Sequence, residues 1–560
     1  MAEASQPLVS HSASDDQIVS VNDDLLENNE NHQDAWWTIK RKQARSFHIP
    51  VKIEYLHSIA RCPGPVEINR VTVFFIVLAS QRRNVILMIS DGFGPASQTM
   101  ARNYYTAIHN LAAGHQLPLD TIQVGSVRTR SSSSLVTDSA AGATAYSCAL
   151  KTYNGAIGVD PDEKPCGTVL EAAKIAGYRT GLVATSRITH ATPASFCTHV
   201  SSRDMENDIA LQLIGNYSLG RTVDLAFGGG LCHFLPNTSS SSCRFDALAI
   251  LNMAASRGWN MILDKHGFDA LNLKSPLPIL GLFTPDHMSY EIDRKATNSQ
   301  PSLAEMSSKA LEILLTASLS SADEKGFFLM IEGSRIDMAG HSNDAAAHVL
   351  EILAYNDAVE VVKAFVDKTP NTIMISTSDH ETGGLSVAKQ LTSAYPEYKW
   401  IPEALTKAKN STEVLGQYLA STFPSGPTES LIRDILSEWL GITDPTPDEI
   451  AYLTTPHLAI EYDYFMGPMI STRAMLGWST HGHSAVDVNL YAYGHRASDL
   501  KGNIENTDVG RFMERYLGVR LDSVTKRLQS QSIWHVPKVD LVGRAPYQEL
   551  HYHSKPGYVA

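Results

Sequence analysis

The sequence predicts an α/β protein, a three-layer α/β/α sandwich built on a large and mostly parallel central sheet. Short apolar runs rich in β-branched residues recur from residue 81 onward, at 84–90, 179–185, 327–331 and 372–377. Segments with helical periodicity separate these runs. Strands that are apolar along their whole length are typical of sheets that helices cover on both faces.

Residues 385–475 interrupt the alternation of strands and helices. They contain aromatic residues, prolines and helical segments such as 431–440, which predicts a subdomain inserted into the sheet domain. The alternation itself begins at about residue 81.

The N-terminal part of the chain divides into two segments. Residues 1–46 predict a disordered acidic tail, because the first 34 residues contain eight acidic side chains and no Lys or Arg. A basic cluster at 40–45 follows, and this charge order is that of a membrane anchor with a cytoplasmic N-terminus. Residues 47–80 are an uncertain extension. Their longest apolar run, at 71–79, has nine residues, whereas a spanning helix needs about 20.

The composition limits the classes of protein to consider. With 560 residues, 43% of them hydrophobic and 19% charged, the chain can bury a large core, which excludes a wholly disordered protein and a coiled coil. The net charge of −13 argues against a nucleic-acid-binding surface, so no nucleic-acid partner is expected. The 21 histidines are a first indication of metal or acid–base chemistry.

The cysteines and glycosylation sequons favour the secretory pathway. None of the six cysteines forms a CxxC pair, which argues against a thiolate zinc site. Cys232 and Cys243 flank a loop rich in Ser, Asn and Pro and are the best candidate disulfide, although the full connectivity stays open. Sequons at Asn216, Asn237 and Asn410 predict a glycoprotein.

Polar side chains follow each of the four predicted strands. Asp91, Glu332 and the pair Asp379–His380 come at or directly after three of them, and the fourth is followed by His190 to Thr192. In open α/β sheets, ligands bind beyond the carboxyl ends of the strands. One such acid is more often a cap or turn former, but four strands with this ending predict a metal site.

Two further pairs have the spacing of metal ligands. Asp337 and His341 are four residues apart, so on a helix both face one side, although a solvated i,i+4 pair has the same spacing. His481 and His483 precede the strand-like VNLYAYG, and on an extended chain both rings point one way. Either histidine of this pair is a candidate, the other being a neighbour.

Ser139 is the candidate nucleophile. It follows an extended segment predicted at 135–137 and begins a helix of small residues, where helix N–H groups attract anions such as phosphate. The alternative is an ordinary serine N-cap. The surrounding sequence is not G-x-S-x-G, so an α/β-hydrolase elbow is not supported.

Six blocks of the chain resemble the alkaline phosphatase family, in particular its fungal vacuolar branch. They are NVILMISDGFG, TDSAAGATA, THATPASFCTHVSSR, FFLMIEGSRIDMAGH, STSDHETGG and THGHSAVDVNLYAYG, in family order between residues 81 and 520. The resemblance implies a catalytic domain at 81–520 with a crown-like insertion at about 385–475, followed by a C-terminal tail at 521–560. It also implies a phosphoserine intermediate on Ser139 and an alkaline pH optimum.

The resemblance also implies two zinc ions and one magnesium ion. The implied ligands are Asp337, His341 and His483 for the first zinc, Asp91, Asp379 and His380 for the second, and Asp91, Thr192 and Glu332 for magnesium. Arg203 matches the arginine that clamps the substrate phosphate. His190 adjoins the magnesium ligands, where bacterial members have Asp, and Met338 stands where they have Lys.

The expected activity is hydrolysis of small phosphate monoesters. A phosphodiesterase of the same superfamily, sharing the metal sites, is the alternative, although such relatives generally lack an arginine clamp. A sulfatase needs a C-x-P-x-R motif that Ser139 and its neighbours do not match, and a catalytically silent metal-binding glycoprotein is the third possibility. The resemblance further implies a homodimer in the vacuole, anchored in its membrane through the N-terminal region.

Overall fold

The computed structural model describes residues 82–320 and 325–530. Twelve strands are formed within these residues. They are β1 (Asn84–Ser90), β2 (Gln123–Arg128), β3 (Arg179–Arg187), β4 (Leu225–Gly229), β5 (Asn260–Ile262), β6 (Ile279–Leu282), β7 (Phe327–Gly333), β8 (Thr372–Thr377), β9 (Glu381–Thr382), β10 (His483–Ser484), β11 (Val488–Gly494) and β12 (Gly502–Glu505).

Ten of these strands form one sheet in the order β12-β2-β11-β8-β1-β7-β3-β4-β6-β5. Neighbouring strands pair in parallel except β11, which is antiparallel to both β2 and β8. Short β9 and β10 form a separate antiparallel pair. The large, mostly parallel sheet is therefore confirmed, with β1 and β8 at the predicted bounds and β3 and β7 each two residues longer.

The helices of the sheet domain cover both of its faces. They are α1 (Pro95–Ile108), α2 (Ser139–Cys148), α3 (Val169–Ile175), α4 (Ala191–Ala194), α5 (Glu206–Leu213), α6 (Ile250–Ser256), α7 (Lys265–Ala270), α8 (Glu291–Thr297), α9 (Leu303–Ser318), α10 (Arg335–His341) and α11 (Ala345–Lys368). Alternate residues of β1 enter two different cores, Ile86 and Met88 one, Val85 and Leu87 the other. Because side chains alternate along a strand, this division shows two covered faces and a three-layer sandwich.

Four helices lie between β9 and β10, in the segment predicted as an insertion. They are α12 (Thr412–Thr422), α13 (Glu429–Trp439), α14 (Pro447–Leu453) and α15 (Ala459–Arg473). Leu415, Ile432 and Tyr462 from these helices belong to the same core as Val349 of α11. The insertion therefore packs as part of one outer layer, and α13 nearly matches the helix predicted at 431–440.

The packed body extends past the predicted end of the main domain. After α16 (Asn506–Leu517), residues assigned to the C-terminal tail form α17 (Leu521–Ser530). Its Val524 and Leu528 are buried, and the backbone N–H of Gly167 donates to the Thr525 hydroxyl. The remaining tail at 531–560, the acidic segment 1–46 and the extension at 47–80 lie outside the described residues.

Membrane and disulfide features can be stated for the described residues. None of the helices within 82–320 and 325–530 combines the length and apolar character needed to cross a bilayer. Cys232 and Cys243 form a disulfide, as predicted, and Cys148 at the end of α2 is joined to Cys166. Cys197 is buried and unpaired by disulfide.

Candidate functional site

Three groups of potential metal ligands lie near the carboxyl ends of the central strands. In each group the ligand atoms are within 4.8 Å of one another. The first cluster is Asp337, His341 and His483, the second is Asp91, Asp379 and His380, and the third is Asp91, His190 and Glu332. A further group contains Cys232, His233 and Cys243, but its cysteines are oxidised to a disulfide and offer no thiolate.

The parallel sheet brings the acids of the second and third clusters together. Strand β1 lies between β8 and β7, with Ile89 paired to Thr377 on one side and to Glu332 on the other. Asp91 follows β1 directly, and Asp379 comes two residues after β8. Because the three strands run in the same direction, their carboxyl ends meet at one edge of the sheet.

The first cluster has the spacing of a tetrahedral site. His341 Nε2 lies 3.2 Å from His483 Nε2 and 3.4 Å from Asp337 Oδ2, and His483 Nε2 lies 3.6 Å from Asp337 Oδ1. Ligand atoms about 2.0–2.1 Å from a zinc ion at tetrahedral corners are about 3.3 Å apart. Helix α10 places Asp337 and His341 on one face, as predicted from their spacing.

Neighbouring acceptors define the tautomers of the clustered histidines. His341 Nδ1 donates to the carbonyl oxygen of His481, and His483 Nδ1 donates to that of Thr137 at 2.8 Å. Because a carbonyl oxygen only accepts, each Nδ1 carries the hydrogen and each Nε2 presents a lone pair to the cluster. This is the arrangement in which protein histidines bind metals.

The second cluster surrounds the Ser139 hydroxyl. His380 Nε2 lies 3.4 Å from Asp91 Oδ1, 3.4 Å from Asp379 Oδ2 and 3.1 Å from Ser139 Oγ. Within the described residues, Asp91 Oδ1 and Asp379 Oδ2 are buried and accept no hydrogen bond. Buried carboxylate oxygens without donors are unfavourable, so a cation suits this position.

The third cluster likewise contains buried side-chain atoms that have no hydrogen-bond partner within the described residues, and most of its potential ligand atoms are oxygens. Glu332 Oε1 and His190 Nδ1 are buried, and no hydrogen-bond partner for them lies in the part of the chain that the structure describes. The Thr192 hydroxyl is also buried and has no hydrogen-bond partner within the described residues. It is close enough to Glu332 to lower the pKa of that carboxyl group against the effect of burial, as is the Ser334 hydroxyl. An oxygen-rich set of ligands suits magnesium, and the imidazole nitrogen of His190 is the exception in this cluster.

Burial and mutual repulsion disfavour the charged forms of the clustered acids. Burial, with a smaller contribution from Asp337, raises the pKa of Asp379 to about 7. Burial also raises the pKa of Glu332 to about 7 and raises that of Asp91 well above its usual value. Burial opposes ionisation of Asp337 too, but the adjacent His341 lowers its pKa overall. Cations at the clusters would favour the ionised acids.

Helix α2 directs Ser139 toward the second cluster. Asp138, and not Ser139, is the N-cap, because its Oδ1 accepts from the Ala141 N–H at 2.9 Å. Ser139 is therefore the first helical residue, and its alternative interpretation as an N-cap is wrong. The helix approaches Asp379 closely, since a Cβ at Gly142 would lie 3.0 Å from Asp379 Cβ. Leu135 and Val136 form a bend, and no strand is formed at 135–137, where the sequence predicted an extended segment.

Arg203 provides positive charge beside Ser139. Its Nη1 donates to Asp138 Oδ2 at 3.1 Å, and its Nη2 donates to His190 Nε2 at the same distance. Burial, followed by the charge of Arg203, lowers the pKa of His190 well below its usual value. Met338 is buried against Tyr290 and provides no charge to this region.

The structure brings all the predicted site residues together and adds two that sequence reasoning missed. Asp138 links the helix N-terminus to Arg203, and its place directly before Ser139 was the available signal, since Asp is a preferred N-cap. The Thr382 hydroxyl donates to Asp337 Oδ1. It lies in the block STSDHETGG, but no spacing rule distinguishes it from an ordinary turn threonine.

Comparison with known proteins identifies one family. Residues 82–519 match the family model described as alkaline phosphatase. The chain is 49% identical over 458 residues to alkaline phosphatase of Schizosaccharomyces pombe, covering 81% of this chain and 84% of the relative. It is 45% identical over 505 residues to the repressible alkaline phosphatase of Saccharomyces cerevisiae, covering 85% and 88%.

Solved structures have the same architecture. The alkaline phosphatase of Thermus thermophilus is similar with a TM-score of 0.67 at 28% identity, over 80% of this chain and 96% of that one. The cold-active alkaline phosphatase of Shewanella sp. has a TM-score of 0.64 at 29% identity, over 78% of this chain and 99% of that one.

Proposed function

Because this chain belongs to the alkaline phosphatase family, we propose that it hydrolyses phosphate monoesters through a phosphoserine on Ser139, with two zinc ions and one magnesium ion. The observation that carries this proposal is the position of the Ser139 hydroxyl. It lies at the start of α2, 3.1 Å from His380 Nε2 and 3.5 Å from Asp91 Oδ2. A nucleophile at this point lies next to a metal cluster and next to the N–H groups at the start of a helix.

The clusters fit the three ions by donor type and spacing. Zinc takes imidazole and carboxylate ligands, and magnesium takes oxygen ligands. Bound there, the ions would supply Lewis-acid stabilisation of the attacking oxygen, the leaving oxygen and the phosphate charge. The proposed ligands are Asp337, His341 and His483 for the first zinc, Asp91, Asp379 and His380 for the second, and Asp91, Thr192 and Glu332 for magnesium.

The protein's own groups bind and orient the substrate. Arg203, held by Asp138 and His190, is positioned to pair with two phosphate oxygens, which fits the fork geometry of guanidinium. Ser139 Oγ then attacks phosphorus, the bond to the alcohol oxygen breaks, and the alcohol leaves. Attack of water on the phosphoserine releases inorganic phosphate and restores the Ser139 hydroxyl.

The phosphodiesterase is the alternative activity. A diester has one fewer charged oxygen on phosphorus, so an arginine clamp favours the monoester. The test is the turnover of p-nitrophenyl phosphate against bis(p-nitrophenyl) phosphate, with zinc and magnesium content measured on the same preparation. We expect the monoester to be faster, and a faster bis-ester would overturn the proposed specificity.

The third cluster has a specific point of comparison. A variant of the alkaline phosphatase from the Antarctic bacterium TAB5, in which a histidine is replaced by aspartate, is described with Mg bound in the M3 site. Magnesium prefers oxygen ligands, so an aspartate in place of His190 should suit it better than an imidazole. For this chain we expect His190→Asp to bind magnesium more tightly, measured by magnesium-dependent protection in thermal melts.

Location and assembly are proposed from the sequence. We propose a homodimeric glycoprotein of the vacuole, with its catalytic domain in the lumen and its N-terminal region as anchor. All three sequons lie in half-buried or exposed loops, at Asn216, Asn237 and Asn410. Cell fractionation of the full-length chain, glycosidase treatment and light scattering of the purified protein test these three points separately.

A further inference from the structure

His481 lies beside the first cluster and pairs reciprocally with one of its members. The Nδ1 of His481 donates to the carbonyl oxygen of His341 at 2.6 Å, while His341 Nδ1 donates to the carbonyl oxygen of His481. These two bonds join the end of α10 to the loop that precedes β10. The bond from His341 Nδ1 determines the tautomer and the ring orientation of His341, and the bond from His481 Nδ1 holds the two backbone segments together, so that the His481 carbonyl oxygen stays in place.

The ring of His481 is held in turn by the insertion. Tyr464 of α15 stacks on it with ring centroids 4.5 Å apart and planes inclined by 5°. Stacking in this geometry restricts rotation of the imidazole about its side-chain torsions. The donor at Nδ1 is thereby kept directed at the carbonyl oxygen of His341.

Helix α15 also holds the turn that follows His341. The Ser342 hydroxyl donates to Asp463 Oδ2 at 2.6 Å, and the Ser471 hydroxyl donates to the carbonyl oxygen of Asn343 at 2.7 Å. A Cβ at Gly467 would overlap the carbonyl oxygen of Ser342, so the helix backbone touches this turn. One inserted helix thus contacts the chain on both sides of the His341–His481 pair.

We propose that His481, clamped by Tyr464, is a positioning residue that keeps His341 oriented toward the first zinc ion and slows the loss of that ion. This inference rests on the proposed metal centre and deepens it. It assigns the inserted helix a role in metal retention. His481 itself is outside the ligand set: among residues 82–320 and 325–530, no group of three or more close metal-binding side chains includes it.

The test measures zinc release from the full-length, zinc-loaded protein to an excess of a chromogenic chelator. His481→Ala and Tyr464→Ala should release one of the two zinc ions about tenfold faster than the parent, the lower end of the effect of such supporting contacts. Release of the other ion should be unchanged. His481→Asn keeps an N–H donor near the position of Nδ1, and Tyr464→Phe keeps the stacked ring, so both should release zinc at nearly the parent rate.

A matched control is available in the same insertion. His457 stacks on Tyr452 with ring centroids 4.0 Å apart, and its hydrogen bonds go to Thr455 and Tyr452. His457→Ala removes an equivalent stacked imidazole without touching the His341–His481 pair, so zinc release should not change. Thermal melts of the metal-free variants show whether each is folded.

The possible outcomes separate this inference from the proposed function. Parent-like zinc release from folded His481→Ala overturns the inference and leaves the metal centre intact. Loss of one equivalent of zinc at equilibrium, without rescue by His481→Asn, also overturns it and makes His481 a ligand. A parent protein that binds no zinc and hydrolyses no phosphate ester overturns the proposed function itself.

Discussion

The second and first clusters lie side by side but are built by different parts of the fold. Asp91, Asp379 and His380 are fully buried, and they follow the adjacent parallel strands β1 and β8. Asp337 and His341 come from the seven-residue helix α10, and His483 comes from the two-residue strand β10. Hydrogen bonds of the large sheet fix the positions of the ligands in the second cluster. The positions of the ligands in the first cluster depend instead on packing against the inserted helix α15.

This difference has a physical consequence. A ligand that extends from a central strand can move only if several ladder hydrogen bonds break, so its position is stable on its own. A ligand on a short helix or a two-residue strand needs contacts from neighbouring elements to hold it. We therefore expect the second cluster to keep its ion longer and the first to depend more on residues outside the ligand set.

The largest effect is expected from removing the nucleophile that the second cluster surrounds. Ser139→Ala should lower turnover of p-nitrophenyl phosphate by at least about 10,000-fold, since removal of a hydrolase's nucleophile can cost about 10⁶-fold in kcat. Both zinc ions should stay bound, because the sheet-borne ligands are untouched. Steady-state kinetics and metal analysis measure this.

Ser147 provides the control for that variant. It lies on the same helix α2, and its hydroxyl donates to the carbonyl oxygen of Ser195. Ser147→Ala should cost some stability but leave most of the activity. Turnover of Ser139→Ala close to that of the parent would remove the covalent step from the mechanism.

A smaller loss of turnover is expected when the first cluster loses one of its ligands. His483→Ala removes one of the three side chains whose ligand atoms lie within 4.8 Å of one another, so zinc should be lost there and turnover should fall about 100-fold. The second zinc should remain. Zinc per chain, measured by elemental analysis, is the readout. His481→Ala, by contrast, should keep both ions at equilibrium, and the reverse result would exchange the roles of the two histidines.

The order of metal loss compares the clusters directly. In the parent protein, treatment with a chelator should remove the ion of the first cluster about tenfold faster than that of the second. Release should therefore be biphasic, and His483→Ala should lack the fast phase. A fast phase that persists in His483→Ala would place the weaker ion elsewhere.

The stability of the metal-free protein should also depend on pH. The raised pKa of Asp379 and that of Glu332, each about 7, mean that the folded metal-free state binds protons more tightly than the unfolded chain. Their stabilising contribution is full below pH 4 and is lost as the pH rises to about 7, by roughly 2 kcal/mol or more. The melting temperature of the metal-free protein should fall over this range.

The metal-loaded protein is the reference for that measurement. Asp463 and Glu351 also have pKa values raised by burial, to about 7 and about 8, and they contribute in both states. Only the difference in melting temperature between the metal-free and the metal-loaded protein, followed against pH, reports on the clusters. The lowered pKa of Asp337 acts in the opposite direction, because its contribution is lost as the pH falls below its usual range. A difference that does not change between pH 4 and 7 would contradict the expectation.

Much of the sheet and of the second cluster could be predicted from the sequence. Apolar runs ending in Asp91, Glu332 and Asp379 indicate buried parallel strands whose polar ends meet, and the structure has these strands at nearly the expected bounds. This works because strand periodicity and the polar residue after it are local properties of the chain. The spacing of Asp337 and His341 is local in the same sense.

Residue type and strand spacing leave His481 and His483 equivalent; the family resemblance favours His483, and only the tertiary structure shows the physical reason. Both precede β11 with the same chemistry, yet the ring of His483 faces Asp337 while that of His481 stacks on Tyr464. The choice depends on α10 and α15, which are far away in sequence, and on carbonyl oxygens that determine each tautomer. A sequence pattern specifies which groups are offered, whereas the direction of a side chain follows from the long-range packing around it.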